Sequence, residues 1–213
     1  QTLEYRTPQL LAEELSQVKT VIALELGDEE PMFQSCADLG CGTGLMGPYL
    51  RDLGVQHLEG VDLSSKMLQV AKDKCRGYDR LLCGDLVEVF PPEDGAARTT
   101  FDLVVAADVF VYLGDLSNVF RAAYDSMSGD GRAVLAFSTE APPRSGSANE
   151  HEGTLAEGSF KLAETGRYLH TASYVRQCAE ECGFKLWKRS NVVLRKNGGK
   201  PVYGHLHFLR KMC

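Results

Sequence analysis

The stretch "ADLGCGTGLMGPYL", Ala37 to Leu50, decides how the rest of the chain is read. Gly40, Gly42 and Gly44 stand at alternate positions directly behind an apolar run that ends in Asp38. Glycine loses more backbone freedom on folding than any other residue, so a cluster of it marks a turn that side chains would block. An apolar strand precedes the turn and a helical pattern, "LMGPYLRDL", follows it. Such a turn presents main-chain N–H groups at a helix N-terminus, where a ligand can approach closely.

Working outward, "HLEGVDL" reads as a second strand ending in Asp62, and "SSKMLQVAKDKC" as a helix capped by Ser64 or Ser65. "RLLCGDL" is a short third strand carrying Asp85 at its end. "FDLVVAADVFVYL" is continuously apolar, the pattern of a strand buried on both faces of a parallel sheet. "DLSNVFRAAYDSM" follows as an amphipathic helix and "GRAVLAFSTE" as a fifth strand. Strands alternating with helices imply right-handed βαβ units. Upstream, "TPQLLAEELSQVKTVIALEL" is a helix with Thr7 as N-cap and Pro8 at its first position.

Beyond the fifth strand, 141–158 is rich in Pro, Ser, Gly and charge and predicts a mobile loop. "HTASYVRQCAEECGF" is then a helix, and "KLWKRSNVVLR" and "PVYGHLHFLRK" are strands joined through the glycine pair of "KNGGK", a hairpin signal. The fold class is α/β: a doubly wound, Rossmann-like seven-stranded sheet, mostly parallel with a C-terminal antiparallel hairpin. Residues 1–213 form a single domain, with 1–27 expected as an N-terminal helical lid and 141–170 as a mobile loop and substrate-side insertion.

With 213 residues, 44% of them hydrophobic, the chain suits one domain with a full core. A net charge of -6 gives no general attraction to nucleic-acid phosphates or anionic lipid, so neither is an expected partner. No run is apolar enough to span a bilayer. Seven cysteines, an odd count placed within apparent strands and helices, read as packing residues of a reducing compartment. Cys178 and Cys182 share a helix face without neighbouring ligands, so no metal is expected. The expected localisation is cytoplasmic, or an organelle if a targeting segment precedes Gln1.

The turn is G-x-G-x-G, with Leu45 where a dinucleotide fingerprint requires glycine, which disfavours a nicotinamide oxidoreductase. Asp62, ending the second strand, is placed to accept both ribose hydroxyls of a nucleoside, and Asp85 to reach an adenine amino group. In "ADLGCGTG", "GVDLSSKML", "CGDL" and "FDLVVAADVFVYL", in this order, the chain resembles the class I S-adenosylmethionine-dependent methyltransferases. "YRTPQLL", "TGRYLHT" and "GKPV" look like the methyltransferase domains attached to tetratricopeptide-repeat proteins. The resemblance implies S-adenosyl-L-methionine as cofactor. Asp38 and the turn Gly40, Cys41, Gly42 and Gly44 would line its methionine part, with Asp62 on the ribose. Leu63 and Met67 would flank the adenine, Asp85 and Leu86 would hold its edge, and Ala107 and Asp108 would lie under the methionine moiety.

Tyr5, ahead of the first helix, is expected at the same pocket. The fourth strand ends "AADVFVYL", without the asparagine-proline motif of amino- and nucleobase-methylating relatives. A small-molecule acceptor is therefore expected, with Tyr112, Arg167 and His170 as catalytic candidates: Arg167 to clamp an anionic group and His170 to take a proton. A protein or carrier-bound acceptor, and an interaction module without turnover, stand as alternatives. His205 and His207, on one strand face, read as structural.

Overall fold

The computed structural model describes residues 5–27, 33–74, 76–87, 100–142 and 155–212. Five parallel strands alternate with helices: β1 (Ser35–Leu39), α2 (Gly47–Asp52), β2 (His57–Asp62), α3 (Ser65–Asp73), β3 (Arg80–Cys83), β4 (Leu103–Ala106), α4 (Ser117–Ser126) and β5 (Val134–Glu140), all preceded by α1 (Thr7–Leu26). A short antiparallel pair, β6 (Phe160–Leu162) and β7 (Tyr168–His170), comes next, then α5 (Ala172–Glu181) and the long hairpin β8 (Phe184–Asn197) and β9 (Lys200–Lys211). β9 lies antiparallel along the whole of β5, so the main sheet runs β3-β2-β1-β4-β5-β9-β8, the seven strands expected. β7 joins β5 at Glu140 alone, which brings the strand total to nine.

The apolar pattern sorts into two layers. Leu11, Leu15, Val18 and Ile22 of α1 pack with Leu50 of α2 on one face of the sheet. Val119, Phe120 and Ala123 of α4 and Val175 and Ala179 of α5 cover the other, around Phe110, Phe137 and Phe184. Burial of four large side chains, worth about 2 kcal/mol each, fixes α1 as a core layer. The expectation of a helical lid over 1–27 is therefore corrected for α1: among the described residues ahead of the helix, Tyr5 reaches the strand ends, at the Ala107 carbonyl. Residues 1–4 lie outside the described residues.

Three local readings also change. Thr7 does not cap α1; Arg6 occupies that position, and the Thr7 hydroxyl donates to the Leu194 carbonyl at 3.5 Å, tying the helix to β8. The fourth apolar run is a strand only to Ala106; Phe110 to Tyr112 turn as a 3₁₀ helix whose Phe110 and Val111 are buried, which is why the apolar signal continued. The expected insertion 141–170 contains the β6–β7 pair, held by Phe160, Tyr168 and Tyr174 packing against one another. Residues 143–154 of the predicted mobile loop lie outside the described residues. Ser64 does cap α3, its hydroxyl accepting from the Met67 N–H at 3.3 Å.

Candidate active site

The carboxyl ends of β1, β2 and β3 bring the first set of residues together. After Leu39 the chain turns through Gly40, Gly42 and Gly44, all at positive φ. The Cys41 N–H bonds back to the Val61 carbonyl at 2.9 Å, so the turn sits against the end of β2. The glycines differ in what surrounds them. A Cβ on Gly40 would meet the Val109 methyls at 2.6 Å, and one on Gly44 would meet Arg76 at 2.8 Å and the Tyr78 ring at 3.0 Å. On Gly42 it would meet nothing nearer than a carbonyl oxygen at 4.0 Å. Gly40 and Gly44 make room for protein; among the described residues, nothing fills the space in front of Gly42.

The Asp62 carboxylate stands beside that space. Its Oδ2 accepts from the Gly42 N–H at 2.9 Å and its Oδ1 from the Ser64 N–H at 2.8 Å, which fixes its plane. A carboxylate oxygen accepts two hydrogen bonds, so each retains capacity for a hydroxyl. Leu63 and Met67 follow, both exposed, with Leu63 71% accessible. Asp85 is exposed and accepts from the Val87 N–H at 3.0 Å, while Leu86 is buried beneath it. Cys41 turns inward against Gly60, its thiol pushed up by burial and by Asp38 and Asp62.

Asp38 is the buried member of this set. Its Oδ2 accepts from the Tyr78 hydroxyl at 2.5 Å. Burial pushes the carboxyl up to about 7, the Tyr78 bond pulling it down and the charge of Asp62 raising it further. Tyr78 was not singled out in the sequence, because it lies between α3 and β3 in a segment with no motif.

The ends of β4, β5, β7 and β8 build a second set. The Tyr5 hydroxyl donates to the Ala107 carbonyl at 3.4 Å, and burial together with Asp108 and Asp38 keeps its proton on. Asp108 sits at φ 62, a left-handed conformation that aspartate tolerates, with its N–H donating to the Ser138 hydroxyl at 2.8 Å. Burial raises its carboxyl, against the pull of two arginines. Arg195 of β8, itself buried, donates to Asp108 Oδ1 at 3.3 Å and to Glu140 Oε1. Arg167 donates to the same Glu140 oxygen at 3.1 Å and to the Tyr112 hydroxyl at 3.1 Å, with its guanidinium 5.4 Å from the Tyr112 ring centroid. Burial works against the Arg167 charge, but Glu140 and Asp108 outweigh it and raise the group.

The four charges balance, yet they are not equally covered. The Asp108, Glu140 and Arg195 side chains are 11%, 6% and 7% accessible, whereas Arg167 is 23% and leads into the exposed Tyr112 ring. Glu140 and Arg195 carry no sequence signal: one ends an apolar strand and the other sits among the lysines and arginines of β8.

His170 is not part of this group. It is buried in β7 with its Nε2 3.0 Å from the Gly114 carbonyl, which can only accept, so that nitrogen carries the proton. Its ring stacks on Tyr174, and burial lowers its basicity. The reading of His170 as a proton acceptor is corrected on that ground: the imidazole is a neutral packing element under the β6–β7 pair. His207 is structural as expected, buried against Phe137 with Nε2 3.0 Å from the Thr139 hydroxyl.

Residues 37–135 match the family model of the methyltransferase domain. The match starts in β1 and stops inside β5, so it contains the glycine turn, Asp62 and Asp108, and ends before Glu140, Arg167 and Arg195. The malonyl-[acyl-carrier protein] O-methyltransferase of Bacillus anthracis is 30% identical over 103 residues, covering 48% of this chain and 36% of that protein. The 18S rRNA (guanine-N(7))-methyltransferase of Bos taurus is 33% identical over 109 residues, covering 46% of this chain and 37% of that protein. The chain thus spans little more than a third of either curated relative. Among solved structures, the magnesium protoporphyrin IX methyltransferase of Synechocystis, with bound SAM, superposes over 97% of this chain and 82% of its own. Its TM-score is 0.60 at 15% identity, a likeness of fold. The chain shares the Rossmann-like α/β fold of that solved methyltransferase.

Proposed function

We propose that the protein is an S-adenosylmethionine-dependent methyltransferase acting on a small-molecule acceptor, akin to the domains attached to tetratricopeptide-repeat proteins. The observation that carries this reading is the open space over Gly42, bordered by an Asp62 carboxylate whose plane is fixed by two main-chain donors. The residues present fit the cofactor: Asp62 can accept two ribose hydroxyls, buried Asp38 suits an ammonium, and exposed Leu63 and Met67 suit the faces of a purine. Asp85 and Leu86 then border its edge, and the turn Gly40 to Gly44 with Ala107 and Asp108 the methionine part.

When bound, the cofactor supplies an electrophilic methyl group on a sulfonium, with a neutral thioether as leaving group. The chain's own residues then have to hold the acceptor in line, and positioning of this kind supplies much of a rate. Tyr5 keeps its proton on the Ala107 carbonyl and closes the pocket from the N-terminal side. Tyr112 offers an aromatic wall, and Arg167 the one outward-facing cation of the described cluster, suited to a carboxylate or phosphate on the acceptor. Asp108, Glu140 and Arg195 hold that cation in place.

Calorimetry with S-adenosylhomocysteine tests the reading directly. Binding in the micromolar range is expected, with no heat from NAD. Asp62→Ala should weaken it by about 1.5–3 kcal/mol, the value of charge-assisted hydrogen bonds. Binding of NAD alone, or an unchanged affinity in folded Asp62→Ala, would overturn it.

A further inference from the structure

Tyr78 touches more of the glycine turn than any sequence motif foretells. Its ring would lie 3.0 Å from a Cβ on Gly44, 2.8 Å from one on Gly47 and 2.8 Å from one on Gly60. Three glycines on three different segments are therefore shaped around one aromatic ring. At its end the hydroxyl reaches Asp38, which is 1% exposed. A tyrosine inserted this deeply for packing alone would be served as well by phenylalanine, which leaves no hydroxyl to satisfy. The hydroxyl instead occupies one of the two oxygens of a buried carboxylate.

The geometry points to Tyr78 as a positioning residue that orients the Asp38 carboxyl toward the ammonium group of the cofactor and eases the loss of its proton when that group binds. This rests on the cofactor reading above. Among the described residues, the groups that face Asp38 are Tyr78 from the segment before β3, Asp62 from the end of β2, Cys36 within β1, Cys41 in the turn and Tyr5 from the N-terminal side. None of these is a cation. Burial and Asp62 favour the protonated carboxyl, and the Tyr78 bond is what opposes them. A ligand bearing an ammonium must therefore find the carboxyl charged, or displace its proton on binding. With the acid near 7, that displacement falls at the pH where the protein would work.

The test compares the wild-type protein with Tyr78→Phe, which keeps the ring and removes the hydroxyl. S-adenosylhomocysteine affinity is measured from pH 5.5 to 8.5; the ligand's own titration is common to both proteins and cancels in their ratio. Loss of the hydroxyl should move Asp38 upward by about one unit, so wild type should bind about tenfold more tightly at pH 6. That ratio should shrink toward unity by pH 8.5, where both carboxyls are ionised. A ratio that stays the same at every pH would mean that Tyr78 only packs, and would overturn the inference. Wild-type calorimetry at pH 6.5, in two buffers of different protonation enthalpy, needs no variant. Release of a large fraction of one proton on binding is expected, and binding without proton release overturns the inference while leaving the cofactor reading standing. A wild-type protein that does not bind the ligand at all overturns both.

Discussion

On the β1–β3 side of the pocket, the residues that face the ligand space come from one short span, Asp38 to Asp85, and most of their contacts run through the main chain. Gly42 and Ser64 N–H groups hold Asp62, and the glycine turn is pinned by Cys41 to Val61. On the β4–β5 side, Tyr5, Asp108, Glu140, Arg167 and Arg195 come from five separate segments; the four charged residues meet through their side chains, and Tyr5 joins them through the Ala107 carbonyl. The first side is a backbone shape that any close relative can inherit through a short motif. The second is a set of long-range ion pairs, each replaceable without disturbing the turn. One scaffold can therefore keep its cofactor while its acceptor chemistry changes.

The sharpest way to break that contrast is to remove Arg195. Arg195→Ala leaves two buried carboxylates sharing the partly exposed Arg167 alone, and breaking a buried pair in this way costs about 3–5 kcal/mol. Urea unfolding should show a loss of that size; a loss under about 1 kcal/mol would mean that the cluster is wetter than its burial implies.

Gly42→Val should leave the acceptor side intact and strike the cofactor side. A branched side chain would occupy the open space and also sit at φ 54, which L-residues avoid at a cost of about 1–2 kcal/mol. S-adenosylhomocysteine affinity should fall by about a hundredfold or more, equivalent to about 2.7 kcal/mol at least. Retention of wild-type affinity would remove the main support for the pocket.

Asp38→Asn sharpens the comparison through pH. The Asp38 carboxyl is raised in the folded state above its unfolded value of 3.8, so the folded protein binds the proton more tightly. Its contribution is therefore favourable at low pH and is lost as pH rises from about 4 through about 7. Asp38→Asn should be more stable than wild type at pH 8, by up to about 4 kcal/mol, with the gap closing toward pH 4. Thermal melts at both pH values check it, and a pH-independent difference would contradict the assignment.

The smallest effect belongs to Arg167→Ala. Its guanidinium is partly solvated, so stability should fall by less than about 1 kcal/mol. Cofactor affinity should stay within about 0.5 kcal/mol, as for any residue remote from that ligand. A tenfold loss of S-adenosylhomocysteine affinity would place Arg167 on the wrong side of the pocket.

What the sequence disclosed follows the same division. The glycine turn, the strand that ends in Asp62 and the alternation of strands and helices were legible because backbone turns demand particular residues at fixed spacing, and a strand buried on both faces must be continuously apolar. Glu140 and Arg195 were not legible: an ion pair closed across 55 positions leaves no local periodicity in either partner. His170 misled for the same reason. Its place before a helix at the end of a loop suggested exposure, and only the packing of Phe160, Tyr168 and Tyr174 around it reveals a buried ring. Tyr78 was silent because it lies in a segment without a motif, and of the glycines around its ring only Gly44 belongs to the turn that the sequence singles out. The family match takes in the glycine turn, Asp62 and Asp108 but ends before Glu140, Arg167 and Arg195.

The tie between Thr7 and the Leu194 carbonyl joins positions 187 residues apart. Closing so long a loop is entropically costly and contributes little until the intervening layers have formed. The Gly42–Asp62 and Asp38–Tyr78 contacts close loops of only 20 and 40 residues. During folding the cofactor side can thus reach its final shape while β8 is still unpaired, and a nucleoside arriving then would find its cradle ready. On the proposed reading, the part of the fold that would hold the nucleoside depends on short loops, and the part that would hold the acceptor on the longest one.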